Sequence, residues 1–117
     1  MNPLEITIRK NGEIDLLSLR GPLVLGAPMD AMNETFDNLA SHGSSRFVLS
    51  MGEVNRLDSS GIGLLVRMLE RSKKAGGTVK LVRPSNAVSA TLRMCCVLPL
   101  FEVFAEEGEA IASFART

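Results

Sequence analysis

The residues with the clearest capacity for chemistry stand together in "NRLDSSGIGLL", Asn55 to Leu65. Asp58 is a carboxylate, Ser59 and Ser60 are adjacent hydroxyls, and Gly61 and Gly63 flank Ile62. Such a set could serve nucleophilic catalysis, anion binding, or acceptance of a group from another protein. Catalysis is poorly served. A nucleophile elbow puts glycine two residues before its serine, where Ser60 has Asp58, and it needs a histidine partner. The lone histidine, His42, stands beside Gly43 at an expected helix end and reads as a surface cap. No segment ends in the Gly-Lys-Ser/Thr of a phosphate loop, and Val66 stands where a dinucleotide fingerprint after Gly61 and Gly63 requires glycine. With one histidine and no matched acid cluster, no metal, no cofactor and no catalytic residue are expected.

The position of the motif is its asset. If Asp58 or Ser59 caps a helix running to about Ala75, both hydroxyls lie where several backbone N–H groups lack an intrahelical partner and the helix dipole is positive. Such an end accepts an anion readily. A plain N-cap explains the same acid and hydroxyls at about 1 kcal/mol of stability, although one capping side chain is enough and three stand in a row. Gly61 and Gly63 each forgo about 1 kcal/mol of helix propensity. Close approach by a partner's active site accounts for them, and so does close packing of helix on sheet. Leu64 and Met68 form a second stripe beside the core stripe, open to a partner or to a second buried layer.

The elements that must position this motif follow from hydrophobic periodicity. Leu4, Ile6 and Ile8 alternate before Asn11-Gly12, and a second apolar segment runs from Ile14 to Leu19, so the chain should open with an antiparallel hairpin. Met29, Met32, Phe36 and Leu39 share a helical face between Pro28 and Gly43. Arg46 to Met51 reads as a central strand, Gly52 to Leu57 as a loop, and Ile62, Leu65, Val66 and Leu69 as the inner face of a second helix. "TVKLV" is another buried strand, Pro84-Ser85 introduces a helix with Val88, Leu92 and Cys95 inward, and Pro99 closes it. "LFEVF" suggests a short edge strand. Acids at the start of "EEGEAIASFAR" and Arg116 at its end fit a last helix with Ile111 and Phe114 inward. This order predicts an α/β fold, a small mixed sheet opened by the hairpin with helices packed on it.

Composition limits the partners. Among 117 residues, 13 basic side chains cancel 13 acidic ones, leaving no basic field for nucleic acid or an anionic membrane. Cys95 and Cys96 are adjacent, which is neither a disulfide framework nor metal spacing, and they read as small buried side chains in a reducing compartment. No cationic leader precedes a long apolar segment, and Arg67 interrupts "GIGLLV" well short of the roughly 20 apolar residues that span a bilayer. A cytoplasmic protein without membrane insertion is expected.

The stretch "MGEVNRLDSSGIGLLVRMLERSKKAGGTVKLV" closely resembles the signature region of the STAS domain family, specifically its stand-alone bacterial anti-sigma factor antagonists. The likeness extends to the hairpin, Gly21, the Met29 to Leu39 helix and the closing "LPLFEVFAEEGEAIASF", so residues 1–117 are expected to form a single STAS domain. The resemblance implies a non-enzymatic phospho-switch that regulates transcription. Ser59 would be the phosphorylated residue, and Asp58, Ser60, Gly61, Ile62, Gly63 and Leu64 would form the partner-binding surround. The implied partners are an anti-sigma factor that is also a serine kinase of the histidine-kinase-like ATPase type, binding the unmodified form, and a serine phosphatase. The same family includes non-phosphorylated interaction modules, such as accessory subunits of bacterial lipid-transport ATPase complexes, which is the alternative. One departure concerns Gly21-Pro22-Leu23-Val24, where many members carry Asp at the last position; if that acid shapes the site, Val24 weakens phosphorylation and spares the fold. A monomer or weak dimer is expected.

Overall fold

A two-residue turn at Gly12 and Glu13 joins β1 (Glu5–Asn11) to β2 (Ile14–Leu23) in the computed structural model, which describes residues 3–115. Gly12 takes φ 61, the left-handed conformation a tight hairpin needs. The two strands pair antiparallel from Asn11 opposite Ile14 to Glu5 opposite Arg20. Every later strand is parallel to its neighbour: β3 (Arg46–Leu57) beside β2, β4 (Thr78–Val82) beside β3, and β5 (Glu102–Phe104) on the far edge, in the order β1-β2-β3-β4-β5. Parallel neighbours need crossover connections, and the helices α1 (Ala27–Ser41), α2 (Ser59–Lys74) and α3 (Asn86–Met94) supply them. A short 3-10 turn, Leu98–Leu100, leads from α3 to β5, and α4 (Glu107–Phe114) ends the fold.

Strand alternation divides the apolar residues between two faces. Phe47, Leu49 and Met51 of β3 point to one side, into a core shared with Met32 and Phe36 of α1, Leu65 and Met68 of α2, and Val88 and Leu92 of α3. Val48 of β3, Leu16 and Val82 join Ala110 of α4 on the other side, with Ile111 and Phe114 partly buried against them. Lys80 lies fully covered on this second side, its Nζ 3.6 Å from Glu102 Oε1, bonded to Ser113 and 4.1 Å from the centre of the Phe114 ring. The expected mixed sheet with packed helices is present.

Two expectations change, and an alternative left open for Leu64 and Met68 is decided. Residues 52–57 are not a loop: β3 continues to Leu57 because Glu53, Val54, Arg56 and Leu57 keep pairing with Arg20, Gly21, Pro22 and Leu23 across two irregularities in register. Pairing with β4 stops at Ser50, so this outer half has one neighbour and carries the polar side chains that made it read as a loop. Cys95 and Cys96 are exposed rather than buried, since α3 ends at Met94 and Cys96 turns the chain with φ 59. Leu64 and Met68 are fully buried, because α2 packs against α1 as well as the sheet and so hides a wider stripe than one face alone. Arg116, expected at the end of the last helix, lies outside the described residues. No helix among the described residues is long and apolar enough to cross a membrane.

Candidate functional site

Strands β2 and β3 end side by side, Leu23 opposite Leu57; β3 reaches α2 through Asp58 alone, and β2 reaches α1 through Val24, Leu25 and Gly26. The outer half of β3 is secured from a third helix start, where the Ser85 hydroxyl caps α3 by accepting from the Val88 amide and donates to the Val54 carbonyl at 2.8 Å. The carboxyl edge of parallel strands is where open α/β sheets gather their sites, because connections and helix N-termini converge there.

At that edge Asp58 is extended, with φ −108 and ψ −176, and it is the N-cap of α2. Its Oδ1 accepts from the Gly61 amide at 3.0 Å, which settles which of Asp58 and Ser59 serves as the cap. Its Oδ2 accepts from the Leu25 amide, also at 3.0 Å, in the connection between β2 and α1. One carboxylate thus ties the start of α2 to a loop 33 positions earlier in the chain. The Leu25 amide is the main reason that the Asp58 carboxyl lies below its ordinary value near 3.8; partial burial opposes it, and the Gly61 and Ser60 amides add to the lowering. Asp58 is a carboxylate at neutral pH.

Ser59 is the first residue of α2 and exposed, whereas Ser60 is half-buried. The two glycines divide the explanations left open for them. A Cβ on Gly61 would run into the Leu23 carbonyl oxygen and come within 2.5 Å of Leu57 Cδ1, so this glycine lets α2 sit down on the strand ends. Gly63 is exposed, with nothing within 4 Å of an added Cβ, so packing does not require it. Ile62 and Leu64 belong to the core, with Leu64 wholly covered, so neither offers a surface to a partner. Of the expected surround, Asp58, Ser59, Ser60 and Gly63 come together at the surface, and Gly61, Ile62 and Leu64 support them from below.

Residues outside the motif complete the corner. Leu25 is 73% exposed beside the Asp58 clamp, and Gly26, with φ 110 and ψ −146, begins α1 without a side-chain cap. The sequence carried a faint signal for this loop in "VLGAP", an exposed-loop leucine preceding a helix-start proline. Val24 is half-buried at the same connection and adds no second acid to Asp58.

A family model described as "STAS domain" matches residues 5–110. A Thermotoga maritima protein described as an anti-sigma factor antagonist is 25% identical over 81 residues, which is 69% of this chain and 72% of that one. The crystal structure of a protein of the same description from the same organism superposes with TM-score 0.85 at 19% identity over 92% of each chain. The Bacillus cell fate determinant SpoIIAA in its phosphorylated form gives TM-score 0.76 at 19% identity, covering 94% of this chain and 99% of SpoIIAA.

Proposed function

Since the chain belongs to the STAS domain family, we propose that it is an anti-sigma factor antagonist, a non-catalytic regulator of transcription switched by reversible phosphorylation of Ser59. The observation that carries this reading is an exposed serine at the first position of a helix, fixed by the Asp58 clamp on one side and bordered by the open Gly63 on the other. The description of the Thermotoga maritima relative and the existence of a phosphorylated SpoIIAA of like fold support it.

In the switch, Ser59 Oγ attacks the γ-phosphorus of ATP held by a partner serine kinase of the histidine-kinase-like ATPase type. A new O–P bond forms, the bond from that phosphorus to the bridging oxygen breaks, ADP leaves, and the hydroxyl proton passes to a base of the kinase. The product carries about −1.5 to −2 charges and three acceptor oxygens. A helix N-terminus tolerates that charge, but the Asp58 carboxylate is next to it, so a surface that docks on the neutral hydroxyl meets both bulk and concentrated negative charge. The kinase, which is also the anti-sigma factor, then lets go, and a serine phosphatase restores the hydroxyl by hydrolysis. Asp58, Ser59, Ser60 and Gly63 form the docking face, shaped from beneath by Gly61, Ile62 and Leu64.

The test is incubation with ATP and a serine kinase of the histidine-kinase-like ATPase type from the same organism, followed by mass spectrometric mapping. One phosphate on Ser59, absent from Ser59→Ala, is the expected result. Ser59→Ala should bind the kinase and Ser59→Glu should not; transfer to another residue, or equal binding by the two variants, overturns the reading.

A further inference from the structure

Five large apolar side chains are notably exposed among the described residues: Ile8, Leu25, Met94, Leu100 and Val103. Met94 ends α3, and Leu100 precedes β5, so both lie toward the opposite edge of the sheet from the strand ends that carry Ser59. Val103 sits on the β5 edge strand and Ile8 within β1 at the other edge. Leu25 alone stands at the Ser59 corner. A solitary exposed leucine needs no explanation in itself. What singles this one out is the attention the site gives it.

A plain N-cap uses one oxygen on its own helix. Asp58, next to the expected acceptor, gives its second oxygen to the Leu25 amide. On the other flank Gly26 holds a positive φ that side-chain-bearing residues rarely adopt, and its carbonyl accepts the first α1 bond from Asp30 at 3.0 Å. Behind it the Leu23 carbonyl lies under Gly61. The Leu25 backbone is therefore tied to the start of α2 by Asp58 and held between the strand end at Leu23, which α2 covers, and the start of α1 at Gly26, while its side chain projects into solvent. A pre-set apolar side chain loses little freedom on binding, which is how a small contact comes to matter. Its chain neighbours Val24 and Gly26 carry no charge and the Asp58 carboxylate beside it is engaged by two amides, so what the Leu25 side chain itself offers is an apolar contact.

We propose that Leu25 is a specificity-determining contact of the Ser59 site: the kinase that modifies Ser59 takes the Leu25 side chain into an apolar pocket, and Asp58 is the positioning residue that fixes Leu25 against Ser59. This rests on the phospho-switch reading above. The occupant is the kinase because it must dock on the unmodified corner and bring ATP to the Ser59 hydroxyl, whereas a phosphatase meets this corner only when it carries the phosphate charge that it recognises.

The experiment is steady-state phosphorylation of the full chain by a serine kinase of the histidine-kinase-like ATPase type from the same organism. Leu25→Ala is expected to raise KM about tenfold and leave kcat within about twofold, the pattern of lost binding that is uniform across ground and transition states. Leu25→Met should restore KM to near the original value, Leu25→Asp should abolish saturation, and the remote Met94→Ala should change nothing. Asp58→Ser keeps a capping oxygen but not the reach to Leu25; it should raise KM, and adding Leu25→Ala to it should have little further effect, because the two act as one unit. Thermal melts establish that each variant folds. An unchanged KM for Leu25→Ala, with the unaltered chain phosphorylated on Ser59, overturns this inference alone. Fully additive effects of Asp58→Ser and Leu25→Ala overturn the positioning role. No transfer to Ser59 in the unaltered chain overturns the phospho-switch reading and this inference with it.

Discussion

Helices α2 and α4 both begin on acids, yet their starts are built differently. At α4 the cap closes within four residues, the Glu106 amide donating to Glu109 Oε1 at 3.2 Å in a capping box, and the distant partners of this start, Arg9 and Ser50, belong to Glu107 rather than to the cap. At α2 one Asp58 oxygen serves the helix and the other reaches Leu25, in a separate connection. The glycines differ likewise, since Gly108 in α4 has open space where Gly61 in α2 is pressed against the Leu23 carbonyl and Leu57. A cap that only ends its own helix is self-contained. A start that also holds a neighbouring loop, and sits hard on the strands below, fixes several surface groups in one geometry, which is what a docking site needs.

The largest contrast should come from the glycines. Gly61→Ala must push α2 off the strand ends, and about 3 kcal/mol of unfolding free energy should be lost, as for overpacking at a tight site. Gly108→Ala meets no atom and gains helix propensity, so it should be neutral or stabilising by up to about 1 kcal/mol. Urea midpoints of both variants measure this, and equal responses would show that α2 is not seated as described.

Removal of the acids should separate the two starts by a smaller amount. Asp58→Ala loses a cap and the bond to Leu25, at about 2 kcal/mol, whereas Glu109→Ala loses one exposed local bond and about 0.5 kcal/mol. Thermal melts give the stabilities, and kinase capture gives the function: capture should weaken for Asp58→Ala and be unaffected for Glu109→Ala.

Acid titration probes the same clamp with a weaker perturbation. The Asp58 carboxyl is lowered in the folded protein, chiefly by the Leu25 amide, so the unfolded chain holds this proton more tightly than the folded one. Its contribution is therefore fully present above the ordinary value near 3.8 and lost as pH falls through the lower folded value. The stability difference between the unaltered chain and Asp58→Asn should stay level from about pH 7 to about pH 5 and narrow below about pH 4. A difference that widens on acidification contradicts the clamp.

The order of elements and the cap at Asp58 could be read from spacing because both are local: Met29, Met32 and Phe36 recur every three or four residues, and Asp58 stands three residues before the amide it receives. The strand over residues 52–57 could not, because its pairing partner is residues 20–23 and its exposed side chains are polar. Leu64 was assigned to the surround by its place in the motif, but burial on a helix that packs on two sides depends on α1, which the motif does not encode. Gly61 and Gly63 look alike in sequence; only the position of Leu23 and Leu57 beneath the first tells them apart. The clamp on Leu25 is the least legible feature, being a bond between residues 33 apart through a backbone amide that every residue but proline possesses.

Gly63 gives the smallest expected effect on stability and the most direct reading of the docking face. It is exposed in the second turn of α2, its added Cβ would meet nothing, and its φ is not among the positive values that require glycine. By folding physics alone, alanine is the better residue there by about 0.5–1 kcal/mol. A position where the fold prefers another residue is one where function is the remaining reason for the present one. Gly63→Ala should therefore raise the urea midpoint slightly and lower the rate of Ser59 phosphorylation, because the new methyl projects from the surface a kinase must approach. A protein that gains stability and is phosphorylated at the original rate would remove Gly63 from the docking face and leave Leu25, Asp58 and the hydroxyls to define it.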